Sequence, residues 1–181
     1  YPTENGTIIK AEDLFCNTPA RQKFLKPAKT EESDIANVIT RTAFAHPNIS
    51  FKLIVDGKET LRTSGGILED AVIDLYGYEA IKESMKIDAV KNGIHVQGFI
   101  GNAYFAKPNR SYQTLILNGR YIINSTIQSA IHNAYAPYLM KRKYPLYVLT
   151  VDMAPEFVDV NVHPNKTDVR FIDNQVVYAT L

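Results

Sequence analysis

One lysine stands between two segments of alternating valines near the end of the chain. Val158, Val160 and Val162 alternate with polar residues, which is the period of a strand with one buried face. Pro164 removes a backbone donor and stiffens the predicted turn on which Lys166 lies. A lysine ammonium is a compact charge with three donors, which suits a terminal phosphate. The other interpretation is a surface hairpin whose lysine is merely solvated.

A second group of residues with possible chemistry is basic and lies in a stretch without acids. Residues 89–151 contain no aspartate or glutamate and seven lysines and arginines, so the remainder has 13 basic against 19 acidic residues. This asymmetry indicates a polyanion-binding face, although surface charges can also fall unevenly by chance. The candidate phosphate-binding residues are Lys107, Arg110, Arg120, Lys141, Arg142 and Lys143.

Aromatic residues are interleaved with the basic ones in the loop over residues 102–111. Tyr104, Phe105 and Tyr112 could stack on nucleic-acid bases, or they could only anchor the loop to the protein. The sequence leaves these alternatives open.

Composition excludes several classes of protein. The chain has 181 residues, of which 45% are hydrophobic, so it can form a core. A single cysteine excludes a disulfide framework, and the absence of a long apolar run predicts no membrane span. The sequence contains no Ser-His-Asp arrangement, zinc-ligand spacing or Walker glycine loop. It starts without methionine, so we expect a piece of a longer protein.

Periodicity and turn signals predict an α+β fold. The predicted class is a mixed sheet covered by helices on one face, without repeats or low-complexity linkers. Helices are predicted at 31–45, 67–76, 125–135 and 173–181, and extended segments at 6–15, 49–55, 59–63, 85–90, 94–100, 113–123 and 146–151. Thr18 is predicted to cap a helix that Pro19 begins, and Ile35, Val38, Ile39 and Thr42 are predicted to fall on one face of the helix at 31–45.

Three stretches resemble motifs of the MutL family of DNA mismatch repair proteins. They are Gly-Thr followed by Asp-Leu-Phe and Asn-Thr-Pro-Ala-Arg within residues 6–25, Asn-Gly-Arg within 115–121, and the whole of 157–171. The resemblance covers essentially the entire chain. It implies that residues 1–30 end the ATP-binding domain and that 31–181 form the transducer domain. That domain is shared by the GHKL ATPase superfamily and resembles the second domain of a ribosomal protein.

The resemblance also implies roles for particular residues. Lys166 would reach the terminal phosphate of ATP held by the neighbouring domain, and Gly6 and Thr7 would lie at the nucleotide site. The family's ligands for Mg²⁺ and adenine, and its water-activating glutamate, lie upstream of these motifs. We therefore expect ATP and Mg²⁺ to bind the parent protein, which would be an ATPase, and the chain alone to be inactive. No metal site is expected within it.

The family resemblance implies non-specific binding to double- or single-stranded DNA. It further implies coordination with MutS and with a nicking endonuclease, either a partner or the protein's own C-terminal domain. The parent would be a homodimer in the cytoplasm, associated with the nucleoid and not with membranes. Some relatives are more basic where this chain has Ile123, Asn124 and Ser125, which puts individual DNA contacts in doubt. The alternative is a protein-interaction module without nucleic-acid binding.

Overall fold

The computed structural model describes residues 5–159 and 168–181. The chain divides into two compact units, Tyr1–Ile35 and Ala36–Leu181, and each is considered by itself. No helix in the described ranges is long and apolar enough to cross a bilayer. The domain boundary near residue 30 stays a prediction.

The first unit contains the short helix α1 (Pro19–Gln22) and the first turns of α2 (Ala28–Ala45). Pro19 begins α1 as predicted, but the Thr18 side chain forms no capping hydrogen bond. The predicted strand over 6–15 is wrong. Ile8 and Ile9 are 74% and 88% exposed, and among the residues described no strand pairs with this segment. A strand needs a partner for its backbone groups, and this segment has none there.

Helix α2 is buried near its end and not along the face on which Ile35 and Val38 lie. Ile35 and Val38 are exposed, whereas Ala43 and Phe44 near the end of the helix are buried. The periodicity of the sequence identified a helix correctly, but the apolar face with helical spacing is not the face that packs. The packed contacts come from the last turn, where Phe44 lies in the core.

A hairpin and two helices follow. Strands β1 (Lys52–Val55) and β2 (Lys58–Arg62) pair antiparallel around the predicted Asp56-Gly57 turn. Helix α3 (Leu68–Tyr76) ends at Gly77, as predicted, because φ at Gly77 is +85°. Helix α4 (Tyr78–Lys82) follows immediately and was not predicted.

A five-stranded mixed sheet forms the centre of the second unit, with strand order β3-β4-β7-β5-β6. Only β5 and β7 pair in parallel, and the other three pairs are antiparallel. The strands of this sheet are β3 (Ser84–Lys91), β4 (Ile94–Gly101), β5 (Gln113–Leu117), β6 (Arg120–Tyr121) and β7 (Tyr147–Asp152). Helix α5 (Ser125–Tyr135) connects β6 to β7. The last elements described are β8 (Val158–Asp159), β9 (Arg170–Phe171) and α6 (Asn174–Thr180).

The mixed α+β class is confirmed, but the helices cover both faces of the sheet, not one. Leu115, Leu149 and Val151 pack against α5 and α6, whereas Ile116 and Val148 pack against α2, α3 and α4. Successive residues of a strand point to opposite faces, so β5 and β7 contribute to both clusters. Their nearly continuous apolar sequences are typical of strands buried on two sides.

Candidate nucleic-acid interface

The parallel pairing of β5 and β7 brings two basic loops together. Gln113 lies opposite Tyr147, so the chain before each strand reaches the same edge of the sheet. Lys107 and Tyr144 then join the two loops by exchanging backbone hydrogen bonds of 2.8 and 2.9 Å between nitrogen and oxygen. Residues that are far apart in sequence therefore converge at one site.

The two loops and the end of α5 surround an open concavity of about 330 Å³, which we call the basic concavity. Four of its side chains are cationic, and none of the described residues that line it is acidic. The lining consists of Arg110, His132, Ala136, Leu139, Met140, Lys141, Arg142, Lys143 and Tyr144. Four of the six basic residues predicted from the sequence thus meet at one place.

Arg110 is oriented by contacts on two sides. Its Nη1 donates to Oε1 of Gln128 at 2.9 Å, and its guanidinium carbon lies 5.1 Å from the ring centre of Tyr144. The charge of Arg110 also acts on the buried Tyr147. Burial raises the pKa of Tyr147, and the nearby positive charge of Arg110 lowers it by a smaller amount. Tyr147 is therefore neutral at physiological pH, and Arg110 presents a fixed positive charge at the concavity.

Lys107 joins the same edge, but its ammonium is already engaged. Its Nζ lies 3.6 Å from the ring centre of Phe105 and 4.9 Å from that of Tyr112. Phe105 and Tyr112 therefore anchor the loop, which is one of the two roles that the sequence left open for these aromatic residues. Tyr104 is 98% exposed and has its ring in solvent.

Arg120 lies elsewhere, at the opposite end of β5. It pairs with Leu117, about 13 Å along the strand from Gln113 at ~3.3 Å per residue. There it lines a separate pocket, whose residues we call the motif edge: Leu117, Asn118, Arg120, Ile122, Pro155, Val158 and Val169. The structure therefore separates Arg120 from the other predicted basic residues.

Hydrogen bonds to the backbone hold the motif edge in place. Asn118 and Met153 exchange two bonds of 3.0 Å, one through the amide nitrogen of the Asn118 side chain and one through its oxygen. Buried Asn124 donates to the Val169 carbonyl at 3.1 Å and accepts from the Ile127 backbone N–H at 3.1 Å. One asparagine thus caps α5 and bonds to the backbone at Val169, within the part of the predicted lysine motif that the structure describes.

The predicted nucleotide contacts are described only in part. Lys166 lies in residues 160–167, outside the described residues. On either side of that stretch β8 and β9 pair antiparallel, with Asp159 opposite Arg170, as the alternation predicts. Gly6 and Thr7 lie in the first unit, exposed and without regular secondary structure. In the ranges covered, no group of three or more His, Cys, Asp or Glu side chains could hold a metal ion.

Sequence reasoning missed several residues that shape these sites. Gln128 and Tyr144 orient Arg110, and His132 lines the concavity. Near the motif edge, the guanidinium carbon of Arg41 lies 4.3 Å from the ring centre of Tyr121. No spacing in the sequence identifies these pairs, because each joins separate elements.

This mixed sheet with helices on both faces, with its basic edge opposite the Asn-Gly-Arg turn, matches a domain of DNA mismatch repair proteins. The family model described as "DNA mismatch repair protein, C-terminal domain" matches residues 72–181. The chain belongs to this family, and the sequence resemblance to MutL is confirmed.

Curated MutL proteins are similar over nearly the whole chain. DNA mismatch repair protein MutL of Clostridium tetani is 42% identical over 175 residues, which are 96% of this chain and 28% of that protein. MutL of Streptococcus sanguinis is 41% identical over 177 residues, covering 97% of this chain and 27% of that protein. The chain thus spans little more than a quarter of the length of these relatives.

Solved structures share the fold. The N-terminal domain of a DNA repair protein superposes with a TM-score of 0.76 at 24% identity, over 92% of this chain and 56% of that one. The Aquifex aeolicus MutL ATPase domain complexed with ADP has a TM-score of 0.61 at 25% identity, over 79% of this chain and 51% of that one.

Proposed function

We propose that this chain serves a MutL-type mismatch repair ATPase as a segment that binds DNA and senses bound nucleotide. The observation that carries the DNA-binding role is the basic concavity. Arg110, Lys141, Arg142 and Lys143 surround it, and no acidic residue lines it to neutralise them. A polyanion supplies the missing countercharge.

The mode of DNA binding is non-specific. Lysines and arginines that meet phosphates position a protein on DNA without reading its sequence. Lys141 and Arg142 are exposed and reach into solvent, as phosphate contacts require. Lys107 contributes less because two aromatic rings flank its ammonium, and Arg120 makes a separate contact at the motif edge.

The nucleotide role rests on Lys166, Gly6 and Thr7. Two of them, Gly6 and Thr7, are exposed, which leaves them accessible to a phosphate group. The family's ligands for adenine and Mg²⁺ lie upstream of these motifs, so other parts of the parent protein would hold ATP and Mg²⁺. The Aquifex MutL domain that shares the fold binds ADP, which supports a nucleotide site in the parent. Lys166 would contact the terminal phosphate, and loss of that contact would let the domains reorient.

In the parent protein this segment would couple mismatch recognition to strand nicking. The proposed partners are MutS, a nicking endonuclease or the protein's own C-terminal domain, and a second copy in a homodimer. Family membership supports these partners.

Fluorescence anisotropy with a labelled duplex tests the DNA-binding role. Affinity should fall steeply between about 50 and 200 mM salt, because bound phosphates release counterions. Reversing Lys141, Arg142 and Lys143 to glutamate should lower the affinity by about 100-fold and flatten the salt dependence, as expected when roughly three phosphate contacts are lost.

A matched control reverses three other exposed lysines, Lys23, Lys58 and Lys86, and so changes the net charge equally. The control should retain most of the affinity. Equal losses in the two variants would mean that net charge, and not the concavity, attracts DNA. Binding that is independent of salt would contradict the phosphate-contact mechanism.

A further inference from the structure

The apolar side of the basic concavity has no role in binding phosphates. Leu139 and Met140 line it beside the basic residues, and Met140 is 77% exposed. The neighbouring Tyr138 is 74% exposed. Phosphate groups neutralise the cations but do not cover aliphatic side chains. An exposed apolar patch next to concentrated charge is typical of a site for protein interaction.

The loop that carries these residues is held at both ends. Its start continues from α5, with the Tyr138 and Leu139 backbone N–H groups donating to the Tyr135 carbonyl at 2.9 and 3.1 Å. Its end is fixed by the paired backbone bonds between Tyr144 and Lys107. Between them Arg142 has a φ of +61°, in the left-handed region that is uncommon for residues other than glycine. Backbone hydrogen bonds at both ends thus fix the loop that carries these apolar and basic side chains.

The shape and charge of the concavity select the chemistry of the occupant. About 330 Å³ is at the lower end of the volumes of ligand pockets, roughly 300–1,000 Å³, so it can take one or two side chains. Four cationic residues and no carboxylate among the described lining residues favour an acidic ligand, and Leu139 and Met140 favour an apolar side chain on it. A peptide that combines several carboxylates with a large apolar side chain satisfies both requirements.

We propose that the basic concavity is a docking site for an acidic partner segment that carries aromatic or aliphatic side chains. The carboxylates of the segment pair with Arg110 and the cations of residues 141–143, and its apolar side chain covers Leu139 and Met140. Because DNA would use the same cations, the segment and DNA bind in competition. The docking site stands independently of the proposed DNA-binding role, since it requires only the concavity.

Three fluorescein-labelled peptides of about eight residues with blocked ends test this inference. The first contains aspartates and two phenylalanines, the second replaces the phenylalanines with serine, and the third replaces the aspartates with asparagine. Anisotropy with the 181-residue chain should show binding of the first peptide, with at least about tenfold weaker binding of the other two. Unlabelled duplex should displace the first peptide.

The substitution Met140→Ser distinguishes peptide binding from DNA binding. It should lower the ratio of peptide affinity to DNA affinity by about fivefold or more, since only the peptide uses the apolar side. The double change Lys141→Glu and Arg142→Glu should weaken the peptide complex further, and the double change Lys58→Glu and Lys86→Glu, at two exposed lysines, serves as the charge control. Circular dichroism checks that each variant is folded.

Three outcomes would overturn the inference. The serine peptide could bind as tightly as the phenylalanine peptide, which would reduce the concavity to an electrostatic surface. Met140→Ser could weaken duplex or single-stranded DNA as much as the peptide, which would assign the apolar side to nucleic acid. All three peptides could fail to bind. A chain that binds the first peptide but not DNA would contradict the proposed function and leave this docking site intact.

Discussion

The two ends of strand β5 have different kinds of residues and different kinds of support. Before the strand begins, Arg110 joins the basic concavity, where exposed cations are held mainly by the loops that carry them. After it ends, Asn118 and Arg120 lie at the motif edge, where asparagine side chains bond to the backbone of neighbouring segments. The charge is concentrated at the first end and the ordered polar contacts at the second.

This difference suggests a division of roles. A surface that binds phosphates needs accessible charge and can tolerate changes in single side chains. A segment that places one lysine at a distant phosphate needs a rigid base, because a positional error costs binding energy. We therefore expect substitutions at the motif edge to affect stability and nucleotide response, and those in the concavity to affect DNA affinity.

Lys166→Ala, made in the intact parent protein, should give the largest effect. Losing a contact between a charged donor and phosphate should cost about 1.5–3 kcal/mol, or roughly 10- to 150-fold in nucleotide-dependent closure or turnover. Steady-state ATP hydrolysis and limited proteolysis with bound nucleotide measure it. Lys86→Ala is the control. A Lys166→Ala protein with unchanged turnover and nucleotide affinity would show that this lysine is merely solvated.

Asn124→Ala should destabilise the fold by about 2 kcal/mol. The change removes the cap of α5 and leaves the Val169 carbonyl without its donor, and each loss costs roughly 1 kcal/mol or more. Urea denaturation measures the free energy of unfolding. The exposed Asn133, whose side chain bonds to Tyr178, provides the control, and Asn133→Ala should cost less than about 0.5 kcal/mol. Equal losses would mean that Asn124 has no special structural role.

Arg110→Gln and Arg120→Gln compare the two ends directly. One phosphate contact at about 0.1 M salt contributes up to roughly eightfold in affinity, or ~1.2 kcal/mol. We expect a loss near this value for Arg110, which acts among neighbouring cations, and a loss of no more than about twofold for the isolated Arg120. Anisotropy with the same duplex measures both. A larger loss for Arg120 would move the main DNA contact to the motif edge.

Lys107→Met should give the smallest effect. The ammonium lies over Phe105 and Tyr112, so its removal should cost about 0.5–1 kcal/mol of stability and reduce DNA affinity by less than about threefold. Urea denaturation measures the stability and anisotropy measures the DNA affinity, and Lys107→Arg should leave both close to those of the unsubstituted chain. A loss of DNA affinity as large as that of Arg110→Gln would show that Lys107 turns toward phosphate when DNA binds.

Local sequence patterns correctly predicted hairpins and amphipathic helices, because turn residues and apolar periodicity determine these elements. The alternation around Asn92-Gly93 predicted the β3–β4 hairpin, and the helices that begin near Leu68 and Ser125 follow their apolar periodicity. The strand at 6–15 was wrong, and the apolar face of α2 does not coincide with the residues that α2 buries, because burial depends on what packs against a segment and not on its own pattern. The turn at Asn118-Gly119, which splits the extended segment 113–123 into β5 and β6, was missed although Asn-Gly is a hairpin signal.

The candidate site was predictable in composition but not in arrangement. The absence of acids over 89–151 identified the basic residues, and their spacing could not show that Arg110 meets Lys143 while Arg120 lies at the other end of β5. That separation follows from the parallel pairing of β5 with β7, which is a long-range contact. The contacts of Arg110 with Gln128 and Tyr144 are also long-range, so no local pattern in the sequence predicts them.

The most direct test of the concavity as the DNA-binding surface is an NMR titration of the labelled chain with a short duplex. Backbone amide shifts should move or broaden most at Arg110 and at residues 141–144, and change much less at 118–120. Addition of about 200 mM salt should reverse the changes. Shifts confined to the motif edge, or spread evenly over all exposed lysines, would contradict the assignment of DNA binding to the basic concavity.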